Sequence, residues 1–81
     1  MTIQVTAEDI AMGTRGWAYY CPIALAWKRQ SGHRAAVSAG SLKDTHTLQW
    51  HSLPRSAQRF IKAFDNGKPV EPFEFKIDLE G

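Results

Sequence analysis

The chain has 81 residues, of which 43% are hydrophobic and 22% are charged, and ten Lys and Arg against eight Asp and Glu give a net charge of +2. This size and balance are typical of one small globular domain over residues 1–81, and they argue against wholesale disorder. One cysteine excludes an intrachain disulfide, and no apolar run is long enough to span a membrane or follows a basic leader, so we expect a cytoplasmic protein.

The first residues predict a strand and a short helix. Ile3 and Val5 alternate with polar residues, which is typical of a half-buried strand. Thr6 and Asp9 have the spacing of a helix cap and an acidic first turn, so we expect a helix of one or two turns over residues 7–12.

A second helix is predicted to begin at Pro22, because proline is favoured at the first helical position. Cys21 takes the cap position, and Gly32 follows basic residues that favour a helix C-terminus. A thiol at a helix N-terminus can lose its proton more easily, but no histidine forms a nucleophile signature with this one. We therefore interpret Cys21 as a small buried residue.

The middle of the chain predicts a β-hairpin. Residues 34–39 and 45–50 are expected to form its two strands, and residues 40–44 supply the turn. Ser52, which precedes Pro54 by two positions, is then expected to cap a long helix.

The last third of the chain predicts that helix and a final strand. Apolar residues recur at intervals of three and four along one side of the helix, and polar residues occupy the other side. The apolar residues are Ala57, Phe60, Ile61 and Phe64, and the polar residues are Arg55, Gln58, Arg59 and Lys62. Asn66 and Gly67 are expected to end the helix. Phe73 then begins an alternating strand that runs to Leu79.

Together these elements predict an α+β domain in the order β-α-β-β-α-β. We expect one small antiparallel sheet with two main helices on one face. A ferredoxin-like arrangement is the simplest form of this order, although the sequence leaves the strand order open.

The sequence carries no signature of catalysis, of a cofactor site or of a metal site. The six glycines never approach a phosphate-binding pattern. His46 and His51 fall on opposite faces of a predicted strand, which disfavours a zinc site. Glu71, Glu74 and Asp78 are expected on the exposed face of the last strand rather than paired for acid–base chemistry. We therefore predict a non-enzymatic protein with no metal and no cofactor.

Aromatic and basic side chains remain as candidates for a binding site. The three aromatic residues at positions 17, 19 and 20 either fold over the core as a lid or anchor an interface, since Tyr and Trp are enriched at binding hot spots. From position 10 to position 70, nine Lys and Arg accompany only two Asp, and these cations either share a face or are scattered over a solvated surface. The residues that we predict to contact a partner are Arg15, Trp17, Tyr19, Tyr20, Lys28, Arg29 and Arg34.

Nucleic acid is an alternative partner, because basic and aromatic side chains together can hold a single strand. Arg15, Trp17, Lys28, Arg29 and Arg34 are the residues that would do so. No RNP-like motif, helix-turn-helix or zinc finger is present, and the pI of about 8.9 falls short of a strongly basic domain. Direct binding to nucleic acid is therefore the weaker alternative.

Several segments resemble a group of short bacteriophage and prophage proteins of about this size. The shared segments are the CPIALA helix start at residues 21–26, Leu53-Pro54, Phe60-Ile61, Phe64-Asp65 with Gly67, and PVEPFEF at residues 69–75. They span nearly the whole chain except residues 33–51, and they are mainly folding positions.

The resemblance implies a phage origin and a site of action in the cytoplasm of the bacterial host. Small phage proteins of unknown activity often bind and block a host protein, including defence machinery such as CRISPR effector complexes. The resemblance therefore implies a steric inhibitor of a host protein or ribonucleoprotein complex. A structural or assembly component of the phage particle is a further alternative, and the oligomeric state is left open.

Overall fold

The computed structural model describes residues 1–38 and 40–77, and within them it confirms the predicted α+β class. This part of the chain forms three helices and two small antiparallel sheets. The elements are β1 (Thr2–Val5), α1 (Ala7–Met12), α2 (Pro22–Ser31), β2 (Ala35–Val37), β3 (Ser41–Asp44), β4 (Trp50–Ser52), α3 (Arg55–Asp65) and β5 (Phe73–Lys76).

The first sheet pairs the two ends of the chain. β1 runs antiparallel to β5, with Ile3 opposite Phe75 and Val5 opposite Phe73. The N-terminal ammonium of Met1 donates to the backbone oxygen of Ile77 at 2.9 Å. Because side chains alternate across a strand, the apolar residues of both strands share the face that points to the core.

The second sheet is a meander in the order β2-β3-β4. Leu42, at the centre of β3, is opposite Val37 on one side and His51 on the other, and all three side chains are buried. Helix α2 covers this inner face through Trp27, whose ring lies 5.3 Å from that of His51. α2 also packs against β1, so it lies between the two sheets.

The expected single sheet is therefore split into two, and a ferredoxin-like arrangement does not form. The reason lies at the free edge of β1, where side chains of α2 take the place of a neighbouring strand. The carboxamide of Gln30 donates to the backbone oxygen of Thr2 at 2.9 Å and accepts from the backbone N–H of Gln4 at 2.7 Å. Arg29 donates to the backbone oxygen of Gln4 at 2.6 Å. The backbone N–H and C=O groups through which β1 would pair with another strand are thus already hydrogen-bonded.

The predicted hairpin has its second strand in the wrong place. Residues 40–44, expected as a turn, include β3, and the turn lies at residues 45–49. The carboxylate of Asp44 accepts from the backbone N–H of His46 at 2.8 Å and of Thr47 at 3.0 Å, and Leu48 adopts a φ of 64°. An Asp side chain that accepts a hydrogen bond from the backbone two residues later stabilises a turn that follows the Asp. The turn-forming composition of residues 40–44 had instead predicted a turn that ends at Asp44.

The helix boundaries follow the sequence more closely. Thr6 and Asp9 form a reciprocal capping box at the start of α1, as predicted. α2 begins at Pro22 and is capped after Ser31 by Gly32, whose φ of 80° is easily adopted by glycine. Ser52, however, lies in β4 and does not cap α3, because Pro54 takes the cap position without a side-chain bond.

The apolar side of α3 lies in the core as predicted. The buried side chains of α3 are Ala57, Phe60, Ile61 and Phe64. Phe60 stacks on Phe64 and packs 4.7 Å from the ring of Phe73, which joins α3 to the first sheet. α3, with 11 residues, is the longest helix of the described ranges, and none of their helices is long and apolar enough to cross a bilayer.

The last strand begins at Phe73 as predicted. β5 covers residues 73–76, and Ile77 is buried beyond it. The predicted continuation through Asp78, Leu79 and Glu80 lies outside the described residues.

Candidate functional site: an aromatic loop beside a basic helix face

The connection between α1 and α2, residues 13–21, is here called the aromatic loop. Its ends are tied together, since the N–H of Thr14 donates to the oxygen of Tyr20 at 2.8 Å. Two further hydrogen bonds attach its tip to the fold, from the N–H of Val37 to the oxygen of Ala18 at 2.9 Å and from the N–H of Gly16 to the carboxylate of Asp65 at 3.2 Å. The loop backbone is thus held against both β2 and α3.

The three aromatic side chains of this loop point to solvent. Trp17 is 60% exposed, Tyr19 47% and Tyr20 46%. Trp17 and Tyr20 contact each other edge to face, with ring centroids 6.3 Å apart. The possibility that these rings form a lid within the core is therefore wrong, and their role as interface anchors stays a prediction.

The other two tryptophans have different environments. Trp27 is buried in the core, whereas Trp50 on β4 is 62% exposed. The ammonium of Lys43 lies 5.5 Å from the centre of the Trp50 ring, in a cation–π contact. Trp50 is therefore an exposed tryptophan that lies outside the aromatic loop.

A small pocket, lined in part by apolar side chains, lies under Trp17. Its volume is about 130 Å³. The residues that line it are Gly16, Trp17, Ala18, Cys21, Val37, Ile61 and Asp65. Cys21 is buried, as predicted, and its burial raises the pKa of the thiol against the lowering effect of the Ile23 and Ala24 amides. The thiol is therefore an apolar wall of the pocket rather than an activated nucleophile.

Arg15 belongs to the aromatic loop but lies near the end of α3. A side chain at Gly67 would place its Cβ 2.8 Å from Nη1 of Arg15, so the guanidinium lies directly against this glycine. A cation at a helix C-terminus interacts favourably with the helix dipole. Arg15 also lines a shallow cavity of about 280 Å³ together with Phe64 and Lys68.

The other three predicted cations lie at the far end of α2. Lys28 comes six residues after Pro22, which places it about 9 Å along the helix from the aromatic loop. Arg29 pairs with the carboxylate of Asp9 at 3.1 Å, and Arg34 follows the C-cap Gly32 by two residues. The structure therefore does not bring Lys28, Arg29 and Arg34 together with the aromatic side chains.

Three cations of α3 form a row along that helix, and Lys62 at one end of the row comes three residues before Asp65, which bonds the aromatic loop. Arg55, Arg59 and Lys62 are exposed and follow each other at intervals of four and three residues, so they share one face of the helix and are called the basic stripe here. They line an open groove of about 590 Å³. The other residues that line it are Gln58, Ile61, Asp65 and Asn66. Because Ile61 and Asp65 also line the pocket under Trp17, the groove and the pocket adjoin.

Sequence reasoning assigned the basic stripe only to the polar side of a helix. The signal that could have identified it is charge, since α3 contains three cations and, apart from Asp65 at its end, no carboxylate. In the parts of the chain that the structure describes, Arg29 forms an ion pair with Asp9, and the carboxylate of Asp44 is hydrogen-bonded to His33. The stripe therefore has no carboxylate partner within residues 1–38 and 40–77.

A buried polar network holds the turn after β3. Asp44 accepts from Nε1 of Trp27 at 3.2 Å and, because a carboxylate can only accept, from Nδ1–H of His33 at 2.8 Å. Burial by itself raises the pKa of Asp44, but hydrogen bonds from His33, Thr47, His46 and Trp27 outweigh it and lower the pKa to about 2. Within the described ranges, no group of three or more His, Cys, Asp or Glu is arranged to hold a metal ion.

Comparison of the chain with family models, curated proteins and solved structures gives no match. No family is therefore assigned to it, and the resemblance to short phage proteins stays a prediction.

Proposed function

We propose that this protein is a non-enzymatic binding protein that acts by occupying a surface of a larger partner. The observation that carries the proposal is the aromatic loop, where three large side chains are exposed on a backbone held by hydrogen bonds to β2 and α3. Exposed apolar side chains grouped in one place are typical of interaction sites. A backbone that is already ordered reduces the entropy lost on binding.

The class of partner rests on the resemblance to short phage proteins. That resemblance supports a host protein or ribonucleoprotein complex in the bacterial cytoplasm, such as a CRISPR effector, as the target. A domain of this size with no catalytic constellation in its sequence would inhibit such a complex sterically. Inhibition then depends on the affinity of the aromatic loop, because the domain must stay bound to exclude a substrate or subunit.

Affinity capture from extract of the bacterial host tests this function. Tagged wild-type protein is compared with the double variant Trp17→Ala/Tyr20→Ala, and each is captured with and without nuclease. Trp50→Ala is the matched control, since it removes an equally exposed tryptophan outside the loop. We expect a stoichiometric complex that survives nuclease, persists in the control and is lost in the double variant.

Other outcomes would contradict the proposal in distinguishable ways. Recovery that disappears with nuclease would make nucleic acid the partner. Equal capture by the double variant would exclude the aromatic loop as the binding site. Capture of no partner by the wild-type protein would favour a structural component of the phage particle.

A further inference from the structure

The basic stripe and the pocket under Trp17 together indicate which kind of surface the partner presents. Resting on the function proposed above, we propose that the partner binds through an acidic segment that carries one aliphatic side chain. The aliphatic side chain enters the pocket, and neighbouring carboxylates pair with the stripe along the groove of α3.

The pocket fits an aliphatic side chain in size and in chemistry. Its volume of about 130 Å³ equals that of roughly four water molecules at about 30 Å³ each. Five of the seven residues that line it are apolar, namely Trp17, Ala18, Cys21, Val37 and Ile61, and the carboxylate of Asp65 lies on the side that the pocket shares with the groove. A nucleobase would place polar edge atoms against these five apolar side chains, whereas an aliphatic group has no polar atoms to satisfy. The pocket therefore favours a protein ligand over nucleic acid.

The basic stripe supplies the charge complement. Arg55 and Lys62 are seven residues apart, which is about 10 Å along the helix and the length of about three residues of extended chain. Arginine binds a carboxylate through two parallel N–H groups, so Arg55 and Arg59 suit Asp or Glu side chains. Ile61 lines both the pocket and the groove that Lys62 also lines, so the carboxylates that pair with the stripe begin where the groove meets the pocket.

The positive charge of the basic stripe also indicates where the protein would bind on a target that works on nucleic acid. A channel that holds nucleic acid is itself positively charged, and it would repel the stripe. The surface that an inhibitor places in such a channel has to be acidic, and the exposed face of α3 is basic. The contact therefore lies on an acidic surface outside the channel, where the inhibitor blocks a subunit contact or a conformational change rather than imitating nucleic acid.

Titration of the ¹⁵N-labelled full chain with synthetic peptides tests the inference, because chemical shifts detect even millimolar affinity. The main peptide carries one leucine followed by three glutamates, and its two controls replace the leucine by serine or the glutamates by glutamine. We expect saturable shifts at the amides of Trp17, Val37 and Lys62, and binding roughly tenfold weaker for either control peptide.

Protein variants identify the stripe as the acceptor of the charge. Arg59→Glu/Lys62→Glu should weaken the main peptide at least tenfold, and the neutral pair Arg59→Gln/Lys62→Gln should weaken it less. Lys76→Glu is the matched control, because it reverses an exposed charge on β5, away from α3. If charge reversal disturbs the helix, the neutral pair Arg59→Gln/Lys62→Gln still tests whether the two cations contribute to binding.

Three results would overturn the inference. They are the absence of saturable shifts at the pocket and stripe, equal shifts with the glutamine peptide, and tighter binding of an oligothymidine of equal charge. Affinity capture from host extract distinguishes failure of this inference from failure of the proposed function. A complex that survives in Arg59→Glu/Lys62→Glu but is lost in Trp17→Ala/Tyr20→Ala leaves the function intact and rejects the acidic segment.

Discussion

The two ends of α2 use their side chains in opposite ways. At the C-terminal end, Arg29 and Gln30 bond the free edge of β1, and Ser31 donates to the backbone oxygen of Trp27. At the N-terminal end, the aromatic loop is held through its own backbone N–H and C=O groups, which bond each other, the N–H of Val37 and the carboxylate of Asp65. Side chains stabilise the fold at one end, and they remain available to a partner at the other.

This contrast explains why the polar side chains in the last turn of α2 and the aromatic side chains before its first turn have different roles. Backbone bonds that order a loop leave its side chains free, so the loop can be rigid and exposed at the same time. Side chains that complete a sheet edge are already engaged and would have to break those bonds to contact a partner. The following variants test whether the contrast holds.

The largest expected difference is between the core and the aromatic loop. Phe60→Ala should lower the free energy of unfolding by about 3 kcal/mol, because it removes a buried ring that packs on Phe73. Trp17→Ala should lower it by less than about 1 kcal/mol, because that side chain is mainly exposed. Urea unfolding measures both, and equal losses would mean that the loop is part of the core.

Asp44→Asn should have the next largest effect, about 2 kcal/mol at neutral pH, since it weakens charge-assisted hydrogen bonds in a buried network. The pH dependence has a definite sign. The pKa of Asp44 is lowered to about 2 from an ordinary value of 3.8, so its contribution is complete above pH 4 and is lost as the pH falls toward 2.

Unfolding curves of the wild type and of Asp44→Asn between pH 2 and pH 6 measure this contribution. The difference between the two proteins should shrink on acidification. A difference that stays constant over this range would show that the carboxylate charge does not contribute to stability.

Gln30→Ala should have a smaller effect than Asp44→Asn, about 1 kcal/mol, because it removes two hydrogen bonds at an exposed sheet edge. Exchange of the Gln4 amide hydrogen should become faster, since this N–H loses its acceptor. Lys28→Ala is the control, because Lys28 is exposed on the same helix. Unchanged exchange at Gln4 would show that the edge of β1 is protected by something other than α2 side chains.

The sequence was most informative where structure depends on near neighbours. The spacing of Thr6 and Asp9, the proline at position 22 and the glycine at position 32 are enough to delimit two helices. The apolar side of α3 follows from its period, because a helix brings every third and fourth residue to the same face. The prediction failed at residues 40–50, where an Asp44 side chain decides the place of the turn.

The candidate site was predictable only in part. Grouping in the sequence was enough to select Trp17, Tyr19 and Tyr20, and the structure shows that they are exposed. The cations that adjoin them come from α3, about forty residues later in the chain, and not from α2 as expected. No pattern along the chain predicts that two segments so far apart in sequence are neighbours in space, because this depends on how α3 packs against the aromatic loop.

The sequence by itself determined the helices, the buried cysteine, the terminal strands and the α+β class, since these follow from periodicity, capping and composition over a few residues. Only the tertiary structure decided that the strands form two sheets, that the aromatic side chains lie outside the core, and that they adjoin the basic stripe. These outcomes depend on contacts between distant segments, such as Gln30 with β1 and Gly16 with Asp65. Such contacts form only when the whole chain has folded.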